Sequence, residues 1–276
     1  MLLAVDIGNT NIHLGLWNSD SWAHTWRART VADKMPDEYA ILIRSFLQSK
    51  DLGFKVITAV VIANVVPRLT TAFVELFERY VGIEPLVVSS TTPSSVTIDI
   101  DQPEQAGADR VANAAAVVAL YGGPAVVIDF GTATNFDVVS AENAYIGGAI
   151  APGIRLAHDA LVSRAARLHK VDLFPPPQPV GRNTIHAMQS GIFWGYVGLI
   201  EGLTTRIKQQ LNSDQTRVIA TGGLAPLFNE HTQVIDMIAP ELTLDGLRVI
   251  YTLNRGEALT TKTRAETHHD QDADTE

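Results

Sequence analysis

Val5-Asp6-Ile7-Gly8-Asn9-Thr10 lies near the start of the chain, and Ile128-Asp129-Phe130-Gly131-Thr132-Ala133 repeats its pattern near the middle. Each stretch begins where a short apolar run ends: Leu2 to Val5 in the first case, Ala125 to Ile128 in the second. Such runs predict buried strands. Further strand-like runs follow each one, Ile12 to Trp17 and Ser21 to Arg29 after the first, Asn135 to Val139 and Tyr145 to Ile150 after the second. The shared pattern is strand, Asp-x-Gly turn, strand, turn, strand. An internal repeat of this size predicts two similar domains in one chain.

The turns carry chemistry. A glycine lets a ligand approach the main chain closely, and N–H groups exposed in such a turn form an anion-binding concavity. Asn9, Thr10, Thr132 and Thr134 add side-chain donors. Asp6 and Asp129 make sense beside a phosphate only with a cation between the like charges. A plain hairpin with a Gly-Asn-Thr turn is the competing reading of the first stretch taken alone. Two such turns facing one another across a cleft would grip a polyphosphate from both sides.

Around these turns the pattern is α/β. Helices are predicted from Pro36 to Lys50 and from Pro67 to Tyr80, with strands at Val56 to Ala63 and Pro85 to Val88. Meander strands followed by alternating helix and strand predict a mixed sheet flanked by helices. Residues 89–106 read as a long surface connection, and an Ala-rich helix follows from Arg110 to Tyr121. Gly122-Gly123-Pro124 ends it, which sets the expected domains at 1–121 and 122–256. In the second half, helices are predicted from Ile154 to Leu168 and from Ile185 to Leu211, the latter capped by Thr184. Gly191, Gly195, Gly198 and Gly202 recur along that helix and predict close packing against a neighbouring element. A strand from Val218 to Thr221 ends in Gly222-Gly223, a place for a flat ligand to lie against backbone. Leu247 to Leu253 reads as a strand or short helix, and the polar segment 257–276 as a disordered tail.

Composition removes several function classes. The chain has 276 residues, 46% of them hydrophobic and 18% charged, enough for a sizeable core. A net charge of -9 with no Lys/Arg run argues against a nucleic-acid binder. With no cysteine, disulfides, thiolate nucleophiles and cysteine-ligated metals are excluded. No basic leader precedes the first strand, and the apolar stretch from Val56 to Val66 is too short to span a bilayer, so a soluble cytoplasmic protein is expected. The common nucleotide loops, zinc motifs and nucleophile elbow are missing. His158, His169 and His186 read as surface or packing residues, and His268 and His269 fall in the tail.

A third candidate is Gly107-Ala108-Asp109-Arg110, at the start of the Ala-rich helix. Asp109 there is either a helix N-cap or a proton acceptor. An adjacent Arg110 able to pair with a carboxylate would suit an enzyme that phosphorylates a small hydroxy acid.

Taken together, these stretches resemble the type III pantothenate kinases, two-domain ATP-dependent enzymes of the actin/hexokinase/Hsp70-like superfamily. The resemblance covers Met1 to about Leu253. It rests on DIGNT at Asp6 to Thr10, QPEQAGADR at Gln102 to Arg110, DFGTATNFD at Asp129 to Asp137 and GGAIAPG at Gly147 to Gly153. GRNT at Gly181 to Thr184, AMQSG at Ala187 to Gly191 and TGGLAPL at Thr221 to Leu227 complete it in the same order. Two departures stand out: Ile100 and Gln102 replace the usual Tyr and Asn of the substrate loop, and Ala63-Asn64 replace a usual Ser-Ser.

The resemblance implies an α/β fold of two ribonuclease-H-like (actin-like ATPase) domains, each a mixed five-stranded sheet flanked by helices, with an interdomain cleft. It implies ATP-dependent phosphorylation of pantothenate, the first step of coenzyme A biosynthesis. By the same resemblance Asp6, Ile7, Gly8, Asn9, Thr10, Asn11, Ile12 and His13 form the first phosphate turn, Thr132 is an ATP contact in the second, and Gly222 and Gly223 form the adenosine turn. Asp109 takes the hydroxyl proton; Ile100, Gly107, Ala108, Arg110 and Thr184 line the pantothenate site. Asp129 is implied as the ligand of a monovalent cation, K⁺ or NH₄⁺, and Asp6 as a contact for Mg²⁺. A homodimer with its substrate pocket near the subunit interface is implied, with no nucleic-acid or membrane partner. The competing readings are a kinase of the same superfamily acting on another small hydroxy compound, and a non-catalytic regulatory homologue.

Overall fold

The structure, a computed structural model, describes residues 1–165, 168–213 and 215–256. The segment expected to be a disordered tail, with His268 and His269, lies outside the described residues.

The first sheet is built from β1 (Leu2–Ile7), β2 (Asn11–Trp17) and β3 (Trp22–Arg29), an antiparallel meander, with β4 (Ala59–Asn64) and β5 (Leu86–Val87) added in parallel beyond β1. Helices α1 (Pro36–Gln48) and α2 (Pro67–Tyr80) cover one face. Tyr39, Ile43, Phe73 and Phe77 pack there against Leu3, Val5 and Ile7. Both helices begin at proline, whose fixed φ suits the first helical position.

The second sheet repeats this order: β7 (Ala125–Phe130), β8 (Ala133–Val139) and β9 (Ala144–Pro152) form the meander, while β10 (Arg217–Gly222) and β11 (Met237–Ile238) run parallel to β7. Its outer face is covered by α5 (Thr184–Leu211) and α6 (Ala225–Asn229), with Phe193, Val197 and Phe228 against Val126, Ile128 and Val218. Helix α4 (Ile154–Arg164) joins that side. The second sheet has six strands rather than the expected five. The added strand, β6 (Thr97–Ile98), pairs in parallel with the free edge of β9. It comes from the segment read as a surface connection: Val96-Thr97-Ile98 is β-branched, but too short to stand out against its Ser/Thr/Pro surroundings.

Helices α3 (Ala108–Leu120) and α7 (Leu242–Asn254) form the layer between the sheets. One apolar cluster joins Ala4 and Val61 of the first sheet, Val127 and Ile219 of the second, and Val111, Ala115, Leu244 and Leu247 of these helices. The alternation along β1 and β7 thus feeds both faces, which is why these runs read as continuously apolar. The alanines of α3 let it lie close to its partner. At Gly246 an added Cβ would come 1.8 Å from the Ala112 carbonyl oxygen. Thr243 donates a buried hydrogen bond of 2.8 Å to the Asn113 side chain.

Three local expectations change. The stretch from Leu247 is the second half of a full helix, whose apolar residues pack with those of both sheets. Asn183, not Thr184, caps α5, accepting from the His186 N–H at 2.8 Å. Gly191, Gly195 and Gly198 face open space within the chain rather than a packed neighbour.

Gly246→Ala should lower the unfolding free energy by about 1–3 kcal/mol, since the clash is with backbone that cannot rotate away; urea denaturation followed by circular dichroism measures it.

Candidate active site

Asp6 and Asp129 occupy the same position, next to last in β1 and β7. The turns that follow differ by one residue: Gly8–Thr10 link β1 to β2, and Gly131 and Thr132 link β7 to β8. In the first, the Gly8 N–H donates to the Asn11 carbonyl at 3.0 Å; in the second, Gly131 N–H donates to the Ala133 carbonyl at 3.0 Å. Thr10, the last residue of the first turn, meets Thr132, the last residue of the second. Their hydroxyl oxygens lie 2.6 Å apart. The two turns, far apart in sequence, therefore touch at the mouth between the sheets.

Two supports hold them. Thr30 donates to the Gly8 carbonyl at 2.6 Å. Gly153, just ahead of α4, donates its N–H to the Thr132 carbonyl at 3.1 Å, and an added Cβ would come 2.3 Å from that oxygen. Gly222 lies beside Phe130 with φ +87°, where an added Cβ would come 2.6 Å from the Phe130 carbonyl oxygen. The Gly222-Gly223 turn is thus adjacent to the second Asp-Gly turn. Asn9, Thr10, Asn11 and Thr132 are exposed, while Ile7 and Ile12 are fully buried and can offer only backbone.

Asp109 is not the helix cap. Gly107 holds the capping position without a side-chain bond, and Asp109 lies in the first turn of α3, where its carboxylate accepts the Arg110 N–H at 2.9 Å. A helix N-terminus favours negative charge there. Asp109 shares one electrostatic field with Asp6 and Asp129. Burial raises the Asp6 carboxyl well above its ordinary range, and Asp109 and Asp129 raise it further. Burial, then Asp109, pushes Asp129 up to about 6 against the pull of Arg110. Burial also pushes Asp137 up to about 7; Arg110 opposes this and Asp129 and Asp109 add to it. Arg110 loses solvation, but Asp137, Tyr145 and Asp109 more than compensate and raise its pKa. His13, paired across the ladder from Asp6, is held down at about 4 by burial and by Arg27, so it is neutral at pH 7.

Beyond Arg110 lies a cavity of about 440 Å³, lined among others by Ile100, Gln102, Arg110, Asp137 and Tyr145. That volume suits a small polar metabolite. Ile100 and Arg110 thus line one cavity. Thr184 is elsewhere, in an apolar groove of about 690 Å³ between α4 and α5 with Leu161, Met188 and Tyr196. Among the described residues no group of three or more His, Asp or Glu converges as a protein-only metal cage. The sequence reading overlooked Asp137, Tyr145 and the buttress at Gly153. A signal for Asp137 existed: a charged residue inside the otherwise buried run Phe136-Asp137-Val138-Val139 is rarely there for packing.

A model of the type III pantothenate kinase family matches residues 2–206. The chain belongs to this family. A type III pantothenate kinase from Roseiflexus sp. (strain RS-1) is 46% identical over 255 residues, covering 92% of this chain and 100% of the relative. One from Paramagnetospirillum magneticum is 49% identical, covering 92% and 98%. Among solved structures, a Campylobacter jejuni protein described as a Baf family transcriptional activator is 22% identical with a TM-score of 0.56, covering 92% of this chain and 99% of that one. A Sinorhizobium meliloti protein described as a 2-dehydro-3-deoxygalactonokinase is 11% identical, also at 0.56, covering 95% and 99%. At these identities the likeness shows the fold: the actin/hexokinase-like pair of α/β units.

Raised carboxyl pKa values mean that the folded, ligand-free protein binds more protons than the unfolded chain between the ordinary Asp range and neutrality. Its stability is therefore full below about pH 4 as far as these groups are concerned, and falls as pH rises through about 6 for Asp129 and about 7 for Asp137. Urea midpoints of the ligand-free protein across pH 4.5 to 8 should show this decline, and Asp129→Asn should flatten part of it.

Proposed function

We propose that this chain transfers the γ-phosphoryl group of ATP to the primary hydroxyl of pantothenate, giving 4'-phosphopantothenate, the entry step of coenzyme A biosynthesis. One observation carries the proposal: the two Asp-Gly turns meet at Thr10 and Thr132, their Asp6 and Asp129 feel the charge of Asp109, and the next residue, Arg110, lines the cavity. Phosphoryl transfer asks mainly for positioning and charge neutralisation, and this arrangement supplies both.

In this reading the backbone of Gly8 to Asn11, with His13 behind it, and the Thr132 hydroxyl receive the phosphates. Gly222 and Gly223 receive adenosine against bare backbone. The pantothenate hydroxyl lies at Asp109 and its carboxylate end reaches toward Arg110, with Gly107, Ala108 and Ile100 forming the wall. A carboxylate is a weak base at neutral pH, so Asp109 takes the proton late, as the bond to phosphorus forms.

The residues present fit bound cations. Asp109 and Asp129 disfavour the charged form of Asp6, Asp109 does the same to Asp129, and Arg110 offsets this at Asp129. Asp6 would contact Mg²⁺, and Asp129 would hold K⁺ or NH₄⁺, with phosphate oxygens and water completing either shell. When bound, the cations neutralise phosphate charge.

The apolar α4–α5 groove supports a homodimer. Leu161 is 41% and Ile185 58% exposed, and Gly191 and Gly195 line the groove with nothing packed on them. A second copy seated there would let Thr184 serve a substrate site that its own chain does not bring it to. A net charge of -9 and the lack, among the described residues, of a helix long and apolar enough to cross a membrane support a cytoplasmic enzyme with no nucleic-acid or membrane partner.

Purified protein should phosphorylate pantothenate with ATP, faster in K⁺ than in Na⁺. Turnover of a sugar with none on pantothenate would overturn the substrate assignment. Asp109→Asn should lower kcat by about 10²–10⁴-fold with an unchanged thermal melt; full activity in that variant would overturn the proton-acceptor role alone.

A further inference from the structure

Asp137 is 3% exposed, in a strand whose neighbours Phe136, Val138 and Val139 are buried and apolar. A carboxylate there carries a desolvation cost that packing alone does not require. Its Oδ1 lies 3.6 Å from Arg110 Nε and accepts from the Tyr145 hydroxyl at 3.3 Å, while Oδ2 has no hydrogen-bond partner. Two residues earlier on β8, on the same face of the strand, the Asn135 side-chain oxygen accepts from an Arg110 terminal nitrogen at 3.5 Å. The guanidinium is thus approached from β8 along one edge, and the Tyr145 hydroxyl of β9 interacts with it as well as with Asp137. The residue across the ladder from Asp137 is Gly148, which has no side chain to stand between Asp137 and the cavity.

An arginine held along one edge keeps its remaining donors in a fixed plane. That plane matches a carboxylate, which takes two parallel N–H donors. We propose that Asp137 is the positioning residue of the substrate cavity: with Asn135 it orients the Arg110 guanidinium so that its free edge meets the carboxylate of the substrate, and Tyr145 in turn holds Asp137. Neither Asp137 nor Tyr145 touches the transferred phosphoryl group. Their effect is on recognition of the acid, and through it on which hydroxy compounds are accepted. The inference rests on the reading of this cavity as the pantothenate site.

The alternative is that Asp137 is simply part of the core. The two differ in what a substitution does. Asp137→Asn keeps the shape and a hydrogen-bond acceptor for Tyr145 but removes the charge that holds Arg110. Replacing a buried charge with a neutral isostere need not destabilise a fold, although an Arg left without its partner carries its own cost. Steady-state kinetics of wild type, Asp137→Asn and Tyr145→Phe, with pantothenate and with its neutral carboxamide, separate these effects. The expected result for Asp137→Asn is a KM for pantothenate raised on the order of tenfold, equivalent to about 1.4 kcal/mol, with KM for ATP within about twofold. Its preference for pantothenate over the carboxamide should shrink by a similar factor. Tyr145→Phe should change the same quantities in the same direction by less.

An unchanged pantothenate KM in Asp137→Asn overturns the inference. So does an equal rise in both KM values with a lowered melting temperature, which is the signature of a core role. Wild-type enzyme that turns over pantothenate while the variants behave normally leaves the functional reading standing and removes this inference alone. Wild-type enzyme inactive on pantothenate removes both.

Discussion

Concentrated negative charge is the constraint on which this site depends. Asp6, Asp109 and Asp129 converge from three different elements, with Asp137 close behind, and the Arg110 guanidinium offsets the charge of Asp129 and Asp137. Burial strengthens every interaction among them because the surroundings screen less than water. Such an arrangement is costly in the ligand-free protein. In the function proposed above, cations and a phosphate chain between the turns would offset this cost. Sites of this kind trade stability for function.

The architecture that brings these groups together is a duplicated sheet around a shared helical layer. Each sheet ends a central strand in an Asp-Gly turn, and the orders of the two sheets correspond strand for strand apart from the added β6. Helices α3 and α7 lie between them, close enough that Gly246 admits no side chain. Because α3 is wedged in this layer, its first turn is aimed at the place where the two turns meet. Asp109 and Arg110 owe their positions to the packing of Val111 in the same turn and Ala115 in a later turn of the helix. The substrate cavity is similarly anchored. β6 pairs with the edge of β9, so the loop carrying Ile100 and Gln102 is tied to the sheet that carries Asp137 and Tyr145.

Much of this was legible beforehand. Apolar runs followed by Asp-x-Gly are strong local signals, because buried strands need β-branched residues and close ligand approach needs glycine; both turns and the meanders around them were located from residues alone. Prolines at 36 and 67 marked helix starts for an equally local reason. Less legible was anything decided by pairing at a distance. The two-residue strand at Thr97 has no periodicity to detect and exists because β9 offers an unpaired edge. The glycines of α5 looked like packing positions, yet within one chain they face open space.

The sequence by itself determined the duplication, the location of the two Asp-Gly turns, the Gly-Ala-Asp-Arg helix start and, through the order of its motifs, the family. These follow from short-range chemistry: which residues can form a strand end, a tight turn or a helix entry. Only the tertiary structure decided that Thr10 faces Thr132, that Gly153 buttresses the second turn, and that Asp137 lies buried beside Arg110. Each of those contacts joins residues distant in sequence, so it depends on how strands, turns and helices are placed relative to one another rather than on local residue chemistry.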